Sequence, residues 1–369
     1  MNVVFRADAS LQIGTGHVMR CLTLADALAE RGASCQFICR EQPGHLIEWV
    51  RAKGHVVHAL PVLAETDSRT NTCADQPAHH HWLGATQAQD ADACTPIVAA
   101  QHPDWLIVDH YALDACWEAA LKPHCRQLMV IDDLADRPHV CDLLLDQTFG
   151  RNAHDYRHWV PADCHLCCGS QFALLRPEFA AFRAYSLQRR AVPQLRELLI
   201  TMGGVDQDNA TGKVLQALRA CALPAECRIT VVMGTSAPWL AKIKQQALRM
   251  PWPTQVLVGV SNMAQLMADS DLAIGAAGAT SWERCCLGLP TVMMAIADNQ
   301  TYAARLLEEA KAVCVLDINR DLANALTTLL QEVHRSDEFL RRLGEGACKI
   351  TDGKGVRRIA DRLLTGAFT

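Results

Sequence analysis

The feature that most constrains the fold is an alternation, repeated along the chain, of short apolar runs with segments whose apolar residues recur at helical spacing. Continuous apolar runs predict buried strands, and 3.6-residue spacing predicts amphipathic helices. Together they predict an α/β, doubly wound fold, in which helices cover both faces of a parallel sheet. In the first half we predict strands at 2–7, 34–39, 55–59, 104–109, 127–132 and 142–146, and helices at 17–31, 44–53 and 113–121.

Two stretches interrupt the alternation. Residues 63–95 are rich in Ala, Thr, Asp, Gln and His and have little periodicity, which predicts a long loop or insertion. Residues 147–195 hold few regular elements, and Arg189-Arg190 with Pro193 indicates a linker. A second α/β domain follows, and then a helical tail at 336–364. Its predicted strands are 196–202, 228–233, 254–258, 271–275, 290–294 and 313–316, and its predicted helices are 208–220, 237–249, 262–268, 279–288, 298–310 and 320–333.

A glycine turn follows the first predicted strand and opens the first helix, in the stretch Gly14-Thr15-Gly16-His17. Such a turn lies at the carboxyl end of a parallel strand, where α/β proteins bind ligands against the helix N-terminus. A dinucleotide fingerprint would need a third glycine where this chain has Met19. The pattern therefore favours a sugar or phosphate site with His17 as general base. The alternative is that His17 only caps or packs the start of the helix.

Polar side chains also follow two other predicted strands of the first half. Asp109, His110 and Tyr111 follow one strand, and Asp132-Asp133 follows the next. In a doubly wound sheet both groups lie at the edge that binds ligands. The alternative is ordinary turn and N-cap chemistry, which aspartate also supplies.

The second domain carries small-residue turns at the same kind of position. Gly203 and Gly204 follow its first strand and allow close backbone approach to a ligand. Farther along, 275–290 runs from a strand through a small-residue turn into a helix that ends at a Gly-x-Pro sequence, and free N–H groups at such a helix start suit a diphosphate. Glu283, one turn into the helix, could accept hydrogen bonds from a ribose; the alternative is tight helix–sheet packing. The predicted nucleotide residues there are Ala277, Gly278, Ala279, Thr280 and Glu283, and Asn299 and Gln300 open the next helix as substrate contacts or as an N-cap.

Composition excludes several classes of function. The 369 residues carry a formal net charge of −5, so no basic nucleic-acid surface is expected. No apolar run approaches the roughly 20 residues of a membrane span, and no signal peptide is evident, so we expect a cytoplasmic protein with no membrane partner. The 17 cysteines are then expected to be reduced core residues, the cluster at 164–168 included. The run 79–81 of three histidines is expected to be solvated.

These motifs jointly resemble a known family. The stretches 5–10, 13–21, 104–111, 131–137, 144–147 and 278–284 are similar to the UDP-2,4-diacetamido-2,4,6-trideoxy-β-L-altropyranose hydrolase family of pseudaminic acid biosynthesis. The resemblance covers nearly the whole chain, whereas 63–95 carries no family motif and looks like a lineage-variable insertion. It implies the GT-B glycosyltransferase architecture, with two Rossmann-like domains facing across a cleft. The implied domains are 1–190 for the sugar and catalytic base, 191–335 for UDP, and a segment at 336–369 whose helix returns to the first domain.

The resemblance implies a hydrolase on a glycosyltransferase scaffold. Water would attack the sugar C1 with inversion, releasing UDP and 2,4-diacetamido-2,4,6-trideoxy-L-altrose without an essential metal or other cofactor. The family's catalytic histidine matches His17, its nucleotide loop matches 277–283, and Asn299 matches a substrate position. We expect a monomer whose partner is the small-molecule UDP-sugar. The sugar-side residues are predicted to be Gly14, Gly16, Asp8, Asp109, His110 and Tyr111, of which one carboxylate could instead orient His17.

Three rival functions stay open at this stage. A true UDP-sugar glycosyltransferase, such as a UDP-N-acetylglucosamine transferase, would share the fold, although the polar stretch 60–95 lacks the apolar or basic patch expected for a lipid acceptor. A UDP-sugar 2-epimerase would need further carboxylates around the sugar. A catalytically silent nucleotide-sugar-binding protein would need neither a patch for a lipid acceptor nor the further carboxylates.

Overall fold

The computed structural model describes residues 1–63, 76–296 and 300–366. The chain forms two compact units. The first comprises Met1–Leu174 and Gly355–Thr369, and the second comprises Leu175–Lys354. Each unit is built on a parallel sheet of its own, as the alternation of apolar runs and helical segments predicted.

The first unit contains a seven-stranded sheet in the order β3-β2-β1-β4-β5-β6-β7, with every neighbouring pair parallel. The central strands β1 and β4 are almost wholly apolar and buried, as expected for a sheet covered on both faces. Strand order reverses between β1 and β4, so the switch point where such sheets bind ligands lies beside the ends of these two strands. The strands are β1 (Asn2–Ala7), β2 (Ser34–Arg40), β3 (Val56–Leu60), β4 (Trp105–Asp109), β5 (Gln127–Ile131), β6 (Leu143–Asp146) and β7 (His165–Cys168).

In the described part of the first unit the α-helices are α1 (Gly16–Ala29), α2 (Ile47–Ala52), α3 (Gln87–Gln101), α4 (Ala115–Leu121) and α13 (Gly355–Thr365). The C-terminal helix α13 packs on α1, and its buried face of Val356, Ile359 and Leu363 joins the core of this unit. The predicted return of the C-terminal helix to the N-terminal domain is therefore confirmed.

The second unit contains a six-stranded parallel sheet in the order β10-β9-β8-β11-β12-β13. Its strands are β8 (Glu197–Thr201), β9 (Arg228–Met233), β10 (Thr254–Val258), β11 (Leu272–Ala276), β12 (Thr291–Met294) and β13 (Cys314–Val315). Its helices are α5 (Pro177–Arg189), α6 (Ala210–Leu218), α7 (Leu240–Ala247), α8 (Met263–Asp269), α9 (Thr280–Cys286), α10 (Thr301–Glu309), α11 (Leu322–Arg335) and α12 (Glu338–Ala347).

Three elements contradict the sequence prediction. Helix α3 lies largely inside 63–95, which was expected to be irregular, because a capping box between Thr86 and Gln89 starts it and only a narrow face is buried. Helix α5 and strand β7 lie inside 147–195. Pro177 starts α5 with a fixed φ at its first position, and only Phe179 and Ser186 are buried, so no apolar stripe reveals it.

The chain passes from the first unit to the second after Leu174 and returns to the first unit at Gly355. From the sequence, the domain boundaries were predicted near residues 190 and 336. Helix α5 packs against α8 and α9, and α12 packs against α11 and α9, which explains why both helices belong to the second unit.

All sixteen cysteines of the described ranges are free thiols. Most of them are buried among apolar side chains. Among those same ranges, no helix has both the length and the apolar character that a membrane crossing requires.

Candidate active site

The turn between β1 and α1 places His17 in the first turn of its helix. Ser10 and Gly14 exchange backbone hydrogen bonds of 3.3 and 2.8 Å, and the Ser10 hydroxyl accepts a further bond from the Ile13 amide. Gly14 has a φ of +80°, in the left-handed region that glycine adopts without strain. A Cβ there would meet open space, so backbone conformation rather than crowding favours glycine. The loop thus fixes where α1 starts and which way His17 projects.

His17 is paired with the carboxylate that ends β4. Its Nδ1 lies 2.6 Å from Asp109 Oδ1, and Arg20, one turn along α1, bonds both Asp109 oxygens at 2.6 and 2.7 Å. Burial would raise the pKa of Asp109, but Arg20 and His17 hold it well below its usual range. The ionised carboxylate therefore accepts a hydrogen bond from Nδ1–H, and in the neutral imidazole of His17 the lone pair then lies on Nε2. Nε2 forms no hydrogen bond with any residue that the structure describes.

Tyr111 lies beside this pair. Its ring meets the His17 ring edge-to-face at 4.5 Å between centroids, and its hydroxyl donates to Asp133 Oδ2 at 2.7 Å. Asp133 also accepts from Arg20 Nη1 at 2.5 Å. Asp109, Tyr111 and Asp133, which belong to the two strand-end groups predicted from the sequence, are therefore brought together beside His17 and Arg20.

Asp8 and His110 are both buried and lie against each other. Arg6 bonds both oxygens of Asp8 at 2.6 and 2.9 Å, and the Arg40 amide donates to Asp8 Oδ1 at 2.7 Å. His110 Nε2 lies 3.3 Å from Asp8, and burial lowers the pKa of this histidine. The Asp8 side chain is fully buried with both oxygens bonded, so a direct sugar contact would require this network to open. Of the carboxylates proposed to orient His17, Asp109 is the one in contact with it.

In the second unit, the small-residue turn after β11 surrounds a buried arginine. Arg284 donates from Nη2 to the Ala276 carbonyl at 2.7 Å and from Nη1 to the Thr280 hydroxyl at 3.1 Å. A Cβ on Gly275 would approach Arg284 Nη1 to 2.5 Å, so glycine there makes room for the guanidinium. The sequence interpretation missed Arg284, because an arginine in a helix is usually solvent-facing.

The turn also leaves backbone donors open. The amides of Gly278 and Ala279 donate no hydrogen bond to any described residue, and a Cβ on Gly278 would meet nothing within 4 Å. Glu283 follows on α9, and its nearest cation is Arg176 at 3.9 Å. Burial raises the pKa of Glu283 to about 7, although Arg176 and Arg284 act in the opposite direction. Open backbone donors and a carboxyl group with a raised pKa therefore lie on the same short segment, 278–283.

The remaining predicted residues of the second unit fall into two groups. Gly203 has a φ of +95° and open space at its Cβ position, and the Gly204 carbonyl accepts from the Gly234 amide at 3.1 Å. The Gln300 side chain accepts from the Ile296 amide at 3.1 Å, which supports a local structural role. Asn299 lies outside the described residues.

The second unit matches a known domain by sequence. Residues 198–363 match the glycosyltransferase family 28 C-terminal domain. Over its whole length the fold resembles MurG of Acinetobacter baumannii, with a TM-score of 0.70, 15% identity, and coverage of 98% of this chain and 99% of the other. This chain has the GT-B fold.

Two further proteins are similar to this chain, one in sequence and one in fold. The UDP-2,4-diacetamido-2,4,6-trideoxy-β-L-altropyranose hydrolase of Campylobacter jejuni is 26% identical over 274 residues, which are 74% of this chain and 84% of the relative. The predicted resemblance to that family is thereby confirmed. HepE of Anabaena, solved in complex with UDP-glucose, superposes with a TM-score of 0.54 at 13% identity and covers 100% of both chains.

Proposed function

We propose that this protein hydrolyses UDP-2,4-diacetamido-2,4,6-trideoxy-β-L-altropyranose to UDP and 2,4-diacetamido-2,4,6-trideoxy-L-altrose. The single observation that carries the proposal is the His17–Asp109 pair at the switch point of the first sheet, with Nε2 of His17 free of hydrogen bonds to the described residues. The similarity to the Campylobacter jejuni hydrolase supplies the substrate class.

The reaction follows from the protonation state of this pair. Nε2 takes a proton from water as the water oxygen attacks C1, and the C1–O bond to the diphosphate breaks with its electrons going to UDP. Attack opposite the leaving group inverts C1. Asp109 holds the Nδ1 proton and stabilises the imidazolium that forms, and Arg20 keeps Asp109 ionised.

The second unit supplies the nucleotide contacts in this proposal. The Gly278 and Ala279 amides bind a diphosphate oxygen and stabilise the charge that develops as UDP leaves. Open space at Gly203 and Gly278 lets a ligand approach the backbone closely. Glu283 accepts hydrogen bonds from the ribose hydroxyls. Thr280 positions the turn through its contact with Arg284.

A second candidate is a UDP-sugar glycosyltransferase, which the match of residues 198–363 to the glycosyltransferase family 28 C-terminal domain favours. The same histidine would then deprotonate an acceptor hydroxyl rather than water. The buried His17–Asp109 pair could activate either water or an acceptor hydroxyl. The two functions therefore differ in which of these nucleophiles binds next to the sugar.

The experiment is incubation of the purified chain with the UDP-diacetamido-trideoxy sugar in EDTA, followed by anomeric NMR and UDP assay. We expect UDP release without an acceptor, and a first-formed free sugar whose anomeric configuration is inverted. Release of UDP only after an acceptor is added would establish the transferase instead. Binding of the nucleotide sugar with no turnover under either condition would indicate a binding protein.

A further inference from the structure

Aromatic rings from the predicted insertion pack against Tyr111, whose ring contacts that of His17. Trp82 stacks on Tyr111 with 5.9 Å between ring centroids and 29° between planes, and His79 lies 4.3 Å from Trp82 and 5.7 Å from Tyr111. Tyr111 in turn meets His17. We refer to His79, Trp82 and Tyr111 as the aromatic wall.

The chain holds the wall in place through contacts outside it. Trp82 ends a single 3₁₀ turn at His80–Trp82, and the Gln42 side chain donates to the Trp82 carbonyl at 2.7 Å. Gln87, just beyond, accepts from the Asp114 amide at 3.1 Å. These bonds tie the described end of the insertion to the segments that follow β2 and β4. The histidine run was expected to be solvated, and its first member instead packs in an aromatic cluster.

The wall combines ring faces with unused polar atoms. His79 and Trp82 are half-buried, and neither the Trp82 indole N–H nor the His79 ring nitrogens hydrogen-bond to a described residue. An N-acetylated, 6-deoxy sugar has the complementary surface, since its acetamido and C6 methyl groups pack on ring faces and its amide oxygens accept N–H donors. A sugar that bears hydroxyls at those positions would leave the ring faces in contact with polar groups.

We propose that His79 and Trp82 bind an acetamido group of the sugar, so that residues 79–82 determine specificity at the site of His17. This inference rests on the proposed function, and it assigns a role to a segment without any motif of the resembling family. Contact between Tyr111 and both His17 and Trp82 is the observation that places the wall at the reacting sugar rather than elsewhere on the unit.

The test compares Trp82→Ala, Trp82→Phe and His79→Ala with Trp49→Ala as the matched control. Trp49 is a tryptophan of the same unit that is 48% exposed and outside the wall. For Trp82→Ala we expect KM for the diacetamido substrate to rise about tenfold, with kcat within about threefold of wild type. Trp82→Phe should recover most of that loss because a ring face remains. UDP affinity, measured by calorimetry, should be unchanged in every variant.

Two outcomes decide the inference separately from the proposed function. If Trp82→Ala and Trp49→Ala have the same KM while the wild type is active, the wall has no role in sugar binding. If the wild type hydrolyses no UDP-sugar, the proposed function fails, and saturation-transfer NMR with UDP-N-acetylglucosamine then tests the wall alone. Transfer to the acetamido methyl that disappears in Trp82→Ala supports the wall, and transfer that persists overturns it.

Discussion

The strand ends of the two units differ in chemical character. In the first unit β1, β4 and β5 are followed or ended by Asp8, Asp109 and Asp132, all fully buried and all paired with cations. In the second unit β8 and β11 run into Gly203 and Gly278, where a Cβ would meet open space. The carboxyl ends of the strands therefore carry ionised side chains in the first unit and accessible backbone groups in the second unit.

Each half of the proposed reaction requires one of these two kinds of strand end. Proton transfer needs a side chain whose tautomer is fixed, and a buried carboxylate held by Arg20 fixes that of His17. Binding of an anionic leaving group needs N–H donors that no side chain covers. Substitutions should therefore separate catalysis from nucleotide binding, unit by unit.

The largest expected effect is that of His17→Ala. Removing the general base should reduce the rate of UDP release by about 10³-fold, while UDP affinity stays within about twofold of wild type. Steady-state kinetics and calorimetry with UDP measure the two quantities. His154→Ala, which changes an exposed histidine of the same unit, is the matched control. An unchanged rate in His17→Ala would show that His17 is not the general base. The proposed division of proton transfer and nucleotide binding between the two units would then be wrong.

Asp109→Asn should have the next largest effect, a fall of about 10²-fold in kcat. The asparagine amide can donate to Nδ1, which would move the ring proton to Nε2 and block proton acceptance from water. Arg20 would also lose its buried partner, so the melting temperature should fall. Kinetics and calorimetric melting measure both. A variant with lowered stability and undiminished kcat would show that Asp109 is structural only.

Gly278→Val should weaken nucleotide binding by the second unit. Because a Cβ at Gly278 meets nothing, the fold should tolerate the side chain, whereas a ligand against the backbone should not. We expect UDP affinity to fall about tenfold with no change in melting temperature. Gly275→Val is the contrasting variant, since its Cβ would clash with Arg284 and destabilise the unit. Equal UDP affinity in Gly278→Val and wild type would place the nucleotide elsewhere.

Most of the fold could be predicted from the sequence. Apolar runs buried on both faces locate the central strands of both sheets, because such runs have few other stable environments in a water-soluble domain. Strand β7 and helices α3 and α5 could not be located in this way. Their buried faces are narrow or contain cysteine, alanine and serine, so their stability comes from caps and tertiary packing, which leave little periodicity.

The candidate site was predictable only where it follows a local pattern. His17 and Asp109 each follow a recognisable strand end, and the parallel register of β1 and β4 then places them together. Arg20, Arg284 and Trp82 belong to helix or loop segments in which nothing local marks them. Arg20 and Trp82 take their roles from contacts with Asp109 and Tyr111, which are distant in the sequence, and Arg284 takes its role from the turn that its own strand and helix form at Ala276.

The smallest predicted effect concerns Glu283, the one ionisable group proposed to contact the nucleotide directly. Burial raises its pKa to about 7, so the folded chain holds a proton that the unfolded chain releases at lower pH. The contribution of Glu283 to the free energy of unfolding is fully present below the pKa that this group has in the unfolded chain, and it is lost as the pH rises through about 7. Ribose hydroxyls donating to the carboxylate would favour the ionised form and so lower this pKa.

The affinity for UDP-sugar should therefore rise between pH 6 and pH 8, by about fivefold more in wild type than in Glu283→Gln. Calorimetry at several pH values, with Glu226→Gln as an exposed control in the same unit, measures the difference. Because the neutral glutamine cannot ionise, its profile retains only the titration of other groups. Parallel profiles for wild type and Glu283→Gln would mean that Glu283 does not contact the ribose, and the second unit would then bind nucleotide through its backbone alone.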